Sequence, residues 1–173
     1  MSSFSVGERR KVSFYSYLSK EVKVIDMTSL LGLKHDASHE ASREVILVVE
    51  DDEDIRELLS LCIETQTPYR VLSMESGEET LQRVEEIKAA HPILFILDYL
   101  LHTMTGFELY DHLHRLQAGE HTPAIILSAA TPNLGIDAEL AERGLEMLAK
   151  PFEVEELLDC IEQTRLRTPQ PAQ

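Results

Sequence analysis

From Glu44 onward the chain repeats one pattern five times: a short apolar run, then a longer amphipathic stretch. Val45-Ile46-Leu47-Val48-Val49 is continuous, β-branched and brief, as a strand covered on both faces must be. Asp54 to Thr65 then spaces Ile55, Leu58, Leu59, Cys62 and Ile63 at helical intervals. Tyr69 to Ser73 predicts a second strand. Ser76-Gly77-Glu78-Glu79 has the form of a capping box opening a helix to about Ala90. Ile93 to Leu97 predicts the third strand. Gly106 to Leu116 predicts a helix with Phe107, Leu109, Leu113 and Leu116 along one side. Ala124 to Leu127 is a fourth strand. Thr131-Pro132 reads as N-cap and first residue of a charge-rich helix, Asn133 to Arg143, stopped by Gly144. Leu145 to Ala149 and Glu153 to Leu166 complete the fifth pair. Parallel neighbours need a crossover, and helices make the crossovers here. The alternation therefore predicts a parallel α/β sheet wrapped on both faces.

Residues 1–43 break the pattern, since no single period dominates there. They are expected to form an extension and linker, with a folded domain over 44–167 and a loose tail over 168–173. The net charge is −15, and residues 1–43 hold more basic than acidic side chains, so the acidity lies in the domain. Such a surface repels phosphate backbones, which argues against nucleic-acid binding. No apolar run approaches the ~18–20 residues of a membrane span. Cys62 and Cys160 stand far apart with no C-x-x-C pairing, the usage of buried thiols in a reducing cytoplasm.

Ligands of parallel α/β sheets bind beyond the carboxyl ends of the strands. Glu50-Asp51-Asp52 follows the first strand, Asp98 the third, Ser128 the fourth and Lys150 the fifth. Clustered carboxylates call for a hard divalent cation, with Mg²⁺ the usual oxygen-bound choice. A carboxylate can also attack phosphorus to give an aspartyl phosphate. An ammonium and a hydroxyl suit the charged oxygens of a transferred phosphoryl group. Asp52 and Glu53 read as charges at a helix N-terminus rather than as ligands.

Val48-Val49-Glu50-Asp51-Asp52, Asp98 with Gly106 eight residues on, Leu127-Ser128-Ala129-Ala130 and Lys150-Pro151-Phe152 together resemble the receiver domain of response regulators. The resemblance covers Glu44 to Arg167. It implies a flavodoxin-like, doubly wound five-stranded parallel sheet of order 2-1-3-4-5 with five helices. It implies that Asp98 takes a phosphoryl group from a phosphohistidine. It assigns Mg²⁺ to Glu50, Asp51, Asp98 and the backbone carbonyl of Leu100. Ser128 and Lys150 become the groups that meet the phosphoryl group, and the Lys150–Pro151 peptide is expected to be cis.

Three positions depart from the family pattern. Met147 stands where many relatives carry a switching Tyr or Phe. His102 replaces the usual Pro after Asp98, and Thr105 an acidic or small residue before Gly106. Leu100 offers no polar handle to an attacking water, so a long-lived phosphoryl state is expected. His112 and His114, two apart on a helix, face different ways, and His35, His39, His91, His102 and His121 show no ligand spacing with them.

With nothing the size of an output module after Leu166, the expectation is a stand-alone cytoplasmic regulator. It would catalyse only its own phosphorylation and dephosphorylation. Its upstream partner would be a histidine kinase or histidine phosphotransfer protein. Its downstream protein target would dock on the last two strand–helix units, and the oligomeric state is left open between monomer and homodimer. A phosphate-independent docking domain is the alternative. A small Mg²⁺-dependent phosphohydrolase is disfavoured, because such enzymes place a second acid where Leu100 stands.

Overall fold

In the computed structural model, the described residues are 43–116, 122–129 and 134–167. Thr131 and Pro132, His35, His39 and His121, the tail 168–173 and all of the extension except Arg43 lie outside them.

The strands are β1 (Val45–Val49), β2 (Arg70–Met74), β3 (Leu94–Asp98), β4 (Leu100–Leu101), β5 (Met104–Thr105), β6 (Ala124–Ser128) and β7 (Glu146–Ala149). The helices are α1 (Glu53–Gln66), α2 (Gly77–Gln82), α3 (Val84–Ala90), α4 (Gly106–Leu116), α5 (Leu134–Arg143) and α6 (Val154–Arg167). Five strands form one parallel sheet in the order β2-β1-β3-β6-β7, which is the 2-1-3-4-5 order expected.

The continuous apolar strands follow from burial on both faces. Successive residues of a strand point opposite ways. Leu47, Val49, Phe95, Leu97 and Ile126 join Phe107, Leu109 and Leu113 of α4 and Ile87 of α3 in one core. Ile46, Val48, Ile96, Ile125 and Leu127 join Leu59 and Ile63 of α1 and Leu157 and Ile161 of α6 in the other. Each such fully buried side chain contributes about 1.5–3 kcal/mol relative to exposure. At the edges, β2 and β7 are only partly buried.

Local signals place most helix starts. The Asp52 side chain accepts from the Ile55 amide at 3.2 Å and caps α1. Ser76 accepts from the Glu79 amide at 3.1 Å, as its capping box predicts. The helix expected to run unbroken to Ala90 is instead interrupted at Arg83, whose φ −98° and ψ 21° leave the helical range. Its guanidinium pairs with Glu79 on one side of the break and Glu86 on the other. α1 has no basic residue in its last turn. Arg43 supplies that charge from outside, donating to the carbonyls of Glu64, Thr67, Pro68 and Tyr69 at the end of the helix.

Candidate functional site

The sheet reverses its winding between β1 and β3, which opens a crevice at the carboxyl ends of those strands. Glu50 follows β1 directly and is 1% exposed. Its amide donates to Met74 at 3.2 Å, and its carbonyl accepts from the Arg56 guanidinium at 2.7 Å. The acidic loop is thus held from β2 and from α1. Asp98 ends β3 and is buried. The next residue, Tyr99, donates its amide to Leu127 at 2.8 Å, tying the exit of β3 to β6.

Glu50, Asp51 and Asp98 bring one carboxylate oxygen each within 4.8 Å of one another. Among the described residues this is the one such acidic, His or Cys grouping. Lys150 reaches in from the end of β7. Its ammonium donates to Glu50 Oε2 and to Asp98 Oδ1, both at 2.6 Å. Its amide donates to the Ser128 carbonyl at 2.7 Å, and the peptide linking it to Pro151 is cis, as the resemblance implied. Ser128 is fully buried, and the sheet register sets its neighbour Leu127 opposite Asp98.

Burial pushes the Glu50 carboxyl up, and the nearby charges of Asp98 and Asp51 add to this. Lys150 opposes it, and the balance stands at about 7. An acid whose folded pKa is raised loses stability as pH climbs from its unfolded value towards the folded one, here from about 4.5 to about 7. Glu50→Gln should therefore be more stable than the parent at pH 8 by about 1–3 kcal/mol in metal-free buffer. Urea unfolding at pH 5 should show that gap closing; a gap independent of pH would contradict the assignment.

The segment after Asp98 is a two-rung antiparallel hairpin, pairing Leu100 with Thr105 and Leu101 with Met104. Its first rung is fixed to the acid itself, because the Leu100 amide donates to Asp98 Oδ2 at 3.0 Å. Its far end is fixed by the Gly106 amide, which donates to Tyr99 at 3.0 Å. The Leu100 side chain points to solvent, 66% exposed. A Cβ on Gly106 would meet the Asp98 carbonyl oxygen at 2.6 Å. That backbone atom cannot yield cheaply, so Gly106→Ala should cost about 1–3 kcal/mol or more and displace Asp98. An unchanged melting temperature would refute this close approach.

Thr105, one of the departures, has a local job. It accepts from the Glu108 amide at 3.2 Å, while its own amide donates to Glu108 Oε2 at 2.8 Å. This is a capping box opening α4, legible as Thr-x-x-Glu although the sequence reading passed over it. His102 lies in the hairpin turn. Its ring is 75% exposed, as expected of a loop residue, yet Nδ1 sits 3.0 Å from Asp51 Oδ2. No spacing rule announces that contact.

Met147 is not among the groups at the strand ends. It pairs in register with Ile126 and packs half-buried against the core that also holds Phe107 and Ile136. His112 and His114 have local partners: His112 approaches Arg115, and His114 approaches the Tyr110 carbonyl at 3.3 Å and its ring at 4.0 Å between centroids.

Three carboxyl groups converge on one ammonium in the crevice, and the oxygens they offer are all hard donors. That donor set fits a divalent cation such as Mg²⁺, held by Glu50, Asp51 and Asp98.

Comparison with known proteins agrees with this geometry. A sequence profile described as the response regulator receiver domain matches residues 46–162. The chain is 33% identical over 124 residues to a 14.6 kDa protein of Leptolyngbya boryana, covering 72% of this chain and 92% of that one. It is 30% identical to the response regulator ArlR of Staphylococcus aureus, covering 72% of this chain and 54% of that protein. It is also 30% identical to the transcriptional regulatory protein AfsQ1 of Streptomyces coelicolor, over 62% of this chain and 45% of that protein. The chain thus spans about half the length of these two regulators. Among solved structures, the chemotaxis protein CheY4 of Vibrio cholerae superimposes with a TM-score of 0.63 at 25% identity, over 71% of this chain and 99% of that one. A response regulator of Chloroflexus aurantiacus gives 0.62 at 29% identity, over 73% of this chain and 100% of that one.

Proposed function

The chain belongs to the response regulator receiver domain family, and from that premise we propose that Asp98 is its phosphoacceptor, loaded in the presence of Mg²⁺. The observation that carries this reading is the Lys150 ammonium bonded at 2.6 Å to both Glu50 and Asp98 at the mouth of the β1/β3 crevice. It holds one oxygen of Asp98, and the Leu100 amide holds the other.

In the proposed reaction Asp98 attacks the phosphorus of a phosphohistidine. The new bond is the acyl–phosphate O–P bond, and the bond broken joins phosphorus to the imidazole nitrogen, which leaves with the electron pair. Lys150 stays beside Asp98 and neutralises charge on the incoming oxygens. Ser128, at the end of β6, gives one of them a hydrogen bond from its hydroxyl and keeps its proton. A Mg²⁺ ion held by Glu50, Asp51, Asp98 and the Leu100 carbonyl would supply further charge neutralisation when bound. The exposed, apolar Leu100 orients no water for hydrolysis, which favours a phosphoryl group lasting minutes rather than seconds.

The upstream donor on this reading is a histidine kinase or histidine phosphotransfer protein. The downstream partner is a protein docking on the surface of α5, β7 and α6. The chain would act on itself and on no external substrate. No helix among the described residues is long and apolar enough to cross a membrane, and a cytoplasmic site of action fits the phosphohistidine donor. Intact-protein mass after incubation with Mg²⁺ and acetyl phosphate tests the reading. One added phosphoryl group is expected, absent without Mg²⁺; a chain that never gains mass would favour a phosphate-independent docking domain.

A further inference from the structure

Two acids of the cluster, Glu50 and Asp51, are joined by one peptide plane, and that plane is gripped from α1. The Arg56 guanidinium donates to the Glu50 carbonyl at 2.7 Å. The Glu50 carbonyl and the Asp51 amide turn together, because a peptide bond is planar. Holding the carbonyl therefore restrains the two soft torsions beside it, one at Glu50 and one at Asp51. Arg56 itself stands on firm helix. Its amide donates to the Asp52 carbonyl at 2.9 Å, and its own carbonyl accepts from the Ser60 hydroxyl at 2.8 Å.

The two acids do not need this grip equally. Glu50 has its amide on Met74 at 3.2 Å and its carboxylate on Lys150 at 2.6 Å, and its side chain is 2% exposed. Pairing and packing hold it without Arg56. The Asp51 side chain is 25% exposed, and the His102 ring beside it is 75% exposed. The direction of the Asp51 carboxylate therefore rests on its backbone: the gripped plane before it and the helix cap at Asp52 after it.

Resting on the reading of Glu50, Asp51 and Asp98 as a divalent-cation site, we propose that Arg56 is a positioning residue of that site, which acts through the Glu50 carbonyl to aim the Asp51 carboxylate at the ion. A guanidinium has no lone pair to give a metal, so it is not itself a ligand. Its charge and its hydrogen bond pull in opposite directions. As a fixed positive charge next to the acidic loop it repels an incoming cation. As a donor behind the ligands it presets their geometry. The proposal requires the second effect to win.

The test is calorimetric titration of Mg²⁺ into the full chain, into Arg56→Met and into Arg56→Lys. Methionine keeps an unbranched apolar stem and a good helix propensity, so α1 is retained. Mg²⁺ affinity is expected to fall about tenfold or more in Arg56→Met, the size of effect that partners behind metal ligands produce. Arg56→Lys, which keeps a charged donor on a slightly shorter arm, should recover most of that loss. Loading by acetyl phosphate gives a second readout. The Mg²⁺ concentration for half-maximal rate should rise by the same factor, while the rate at saturating Mg²⁺ stays within about twofold, because Asp98 and Lys150 are placed from β3 and β7. An unchanged or tighter affinity in Arg56→Met would overturn the proposal and leave Arg56 as a charge alone. Equal losses in Arg56→Lys and Arg56→Met would overturn it too, since a donor to the carbonyl would then count for nothing. Failure of the unaltered chain to bind Mg²⁺ is a separate outcome, which overturns the cation-site reading and the inference together.

Discussion

Lys150→Met will destabilise the metal-free chain by about 3–5 kcal/mol at pH 8, the cost of breaking a buried ion pair from one side. The parent ammonium lies 2.6 Å from Glu50 and from Asp98, and the lysine side chain is only 11% exposed. Removing it leaves the two most buried carboxylates of the cluster facing each other and Asp51. Glu50 already sits near 7 because burial outweighs its lysine partner. Without that partner it can escape repulsion by taking up a proton, so the loss should shrink as pH falls to 5. Urea unfolding of parent and variant at the two pH values measures it. A loss below about 1 kcal/mol at both, the scale of an exposed pair, would show that the ammonium is solvated rather than built into the site.

Asp51→Asn will act in the opposite sense on the fold and far more strongly on the metal. Asn keeps the shape and removes one negative charge from a repelling group, so the metal-free chain should be no less stable. Mg²⁺ binding should fall on the order of a hundredfold, because the most accessible anionic ligand is gone. Loading by acetyl phosphate should fall with it. Calorimetric titration with Mg²⁺ decides; an affinity within about twofold of the parent would remove Asp51 from the ligand set.

The sheet was legible because its information is local. The three central runs, such as Val45–Val49 and Leu94–Asp98, are short, mostly apolar and β-branched or leucine-rich, and parallel strands buried on both faces have little freedom to look otherwise. The convergence of Glu50, Asp51, Asp98 and Lys150 was legible for a related reason. Once the strands are placed, their carboxyl ends must share one edge of the sheet. Strand order came from the resemblance alone, since periodicity does not say which strands are neighbours.

What the sequence hid is mostly side-chain reach. The hairpin at Leu100–Leu101 and Met104–Thr105 has two residues per strand, too few to show a period. Arg83 sits inside an unbroken helical pattern, so its interruption had no signal. The His102–Asp51 contact depends on where that short hairpin aims its turn. Arg143 is a comparable case. It binds both carboxylate oxygens of Asp111, at 3.0 and 2.9 Å, and stacks 5.3 Å over Phe107, joining α5 to α4 across a gap that no spacing predicts. That clamp helps explain how α5, charge-rich and thin in bulky apolar residues, stays on the body of the fold.

Hydride trapping identifies which carboxylate oxygen carries the phosphoryl group. The chain is loaded with Mg²⁺ and acetyl phosphate and then treated with borohydride, which reduces an acyl phosphate to an alcohol but leaves free carboxylates intact. Peptide mass analysis then locates the reduced side chain. Reduction confined to Asp98, and missing from Asp98→Asn handled alike, is the result predicted here. Reduction at Glu50 or Asp51, or none at all in a chain that had gained phosphoryl mass, would contradict it.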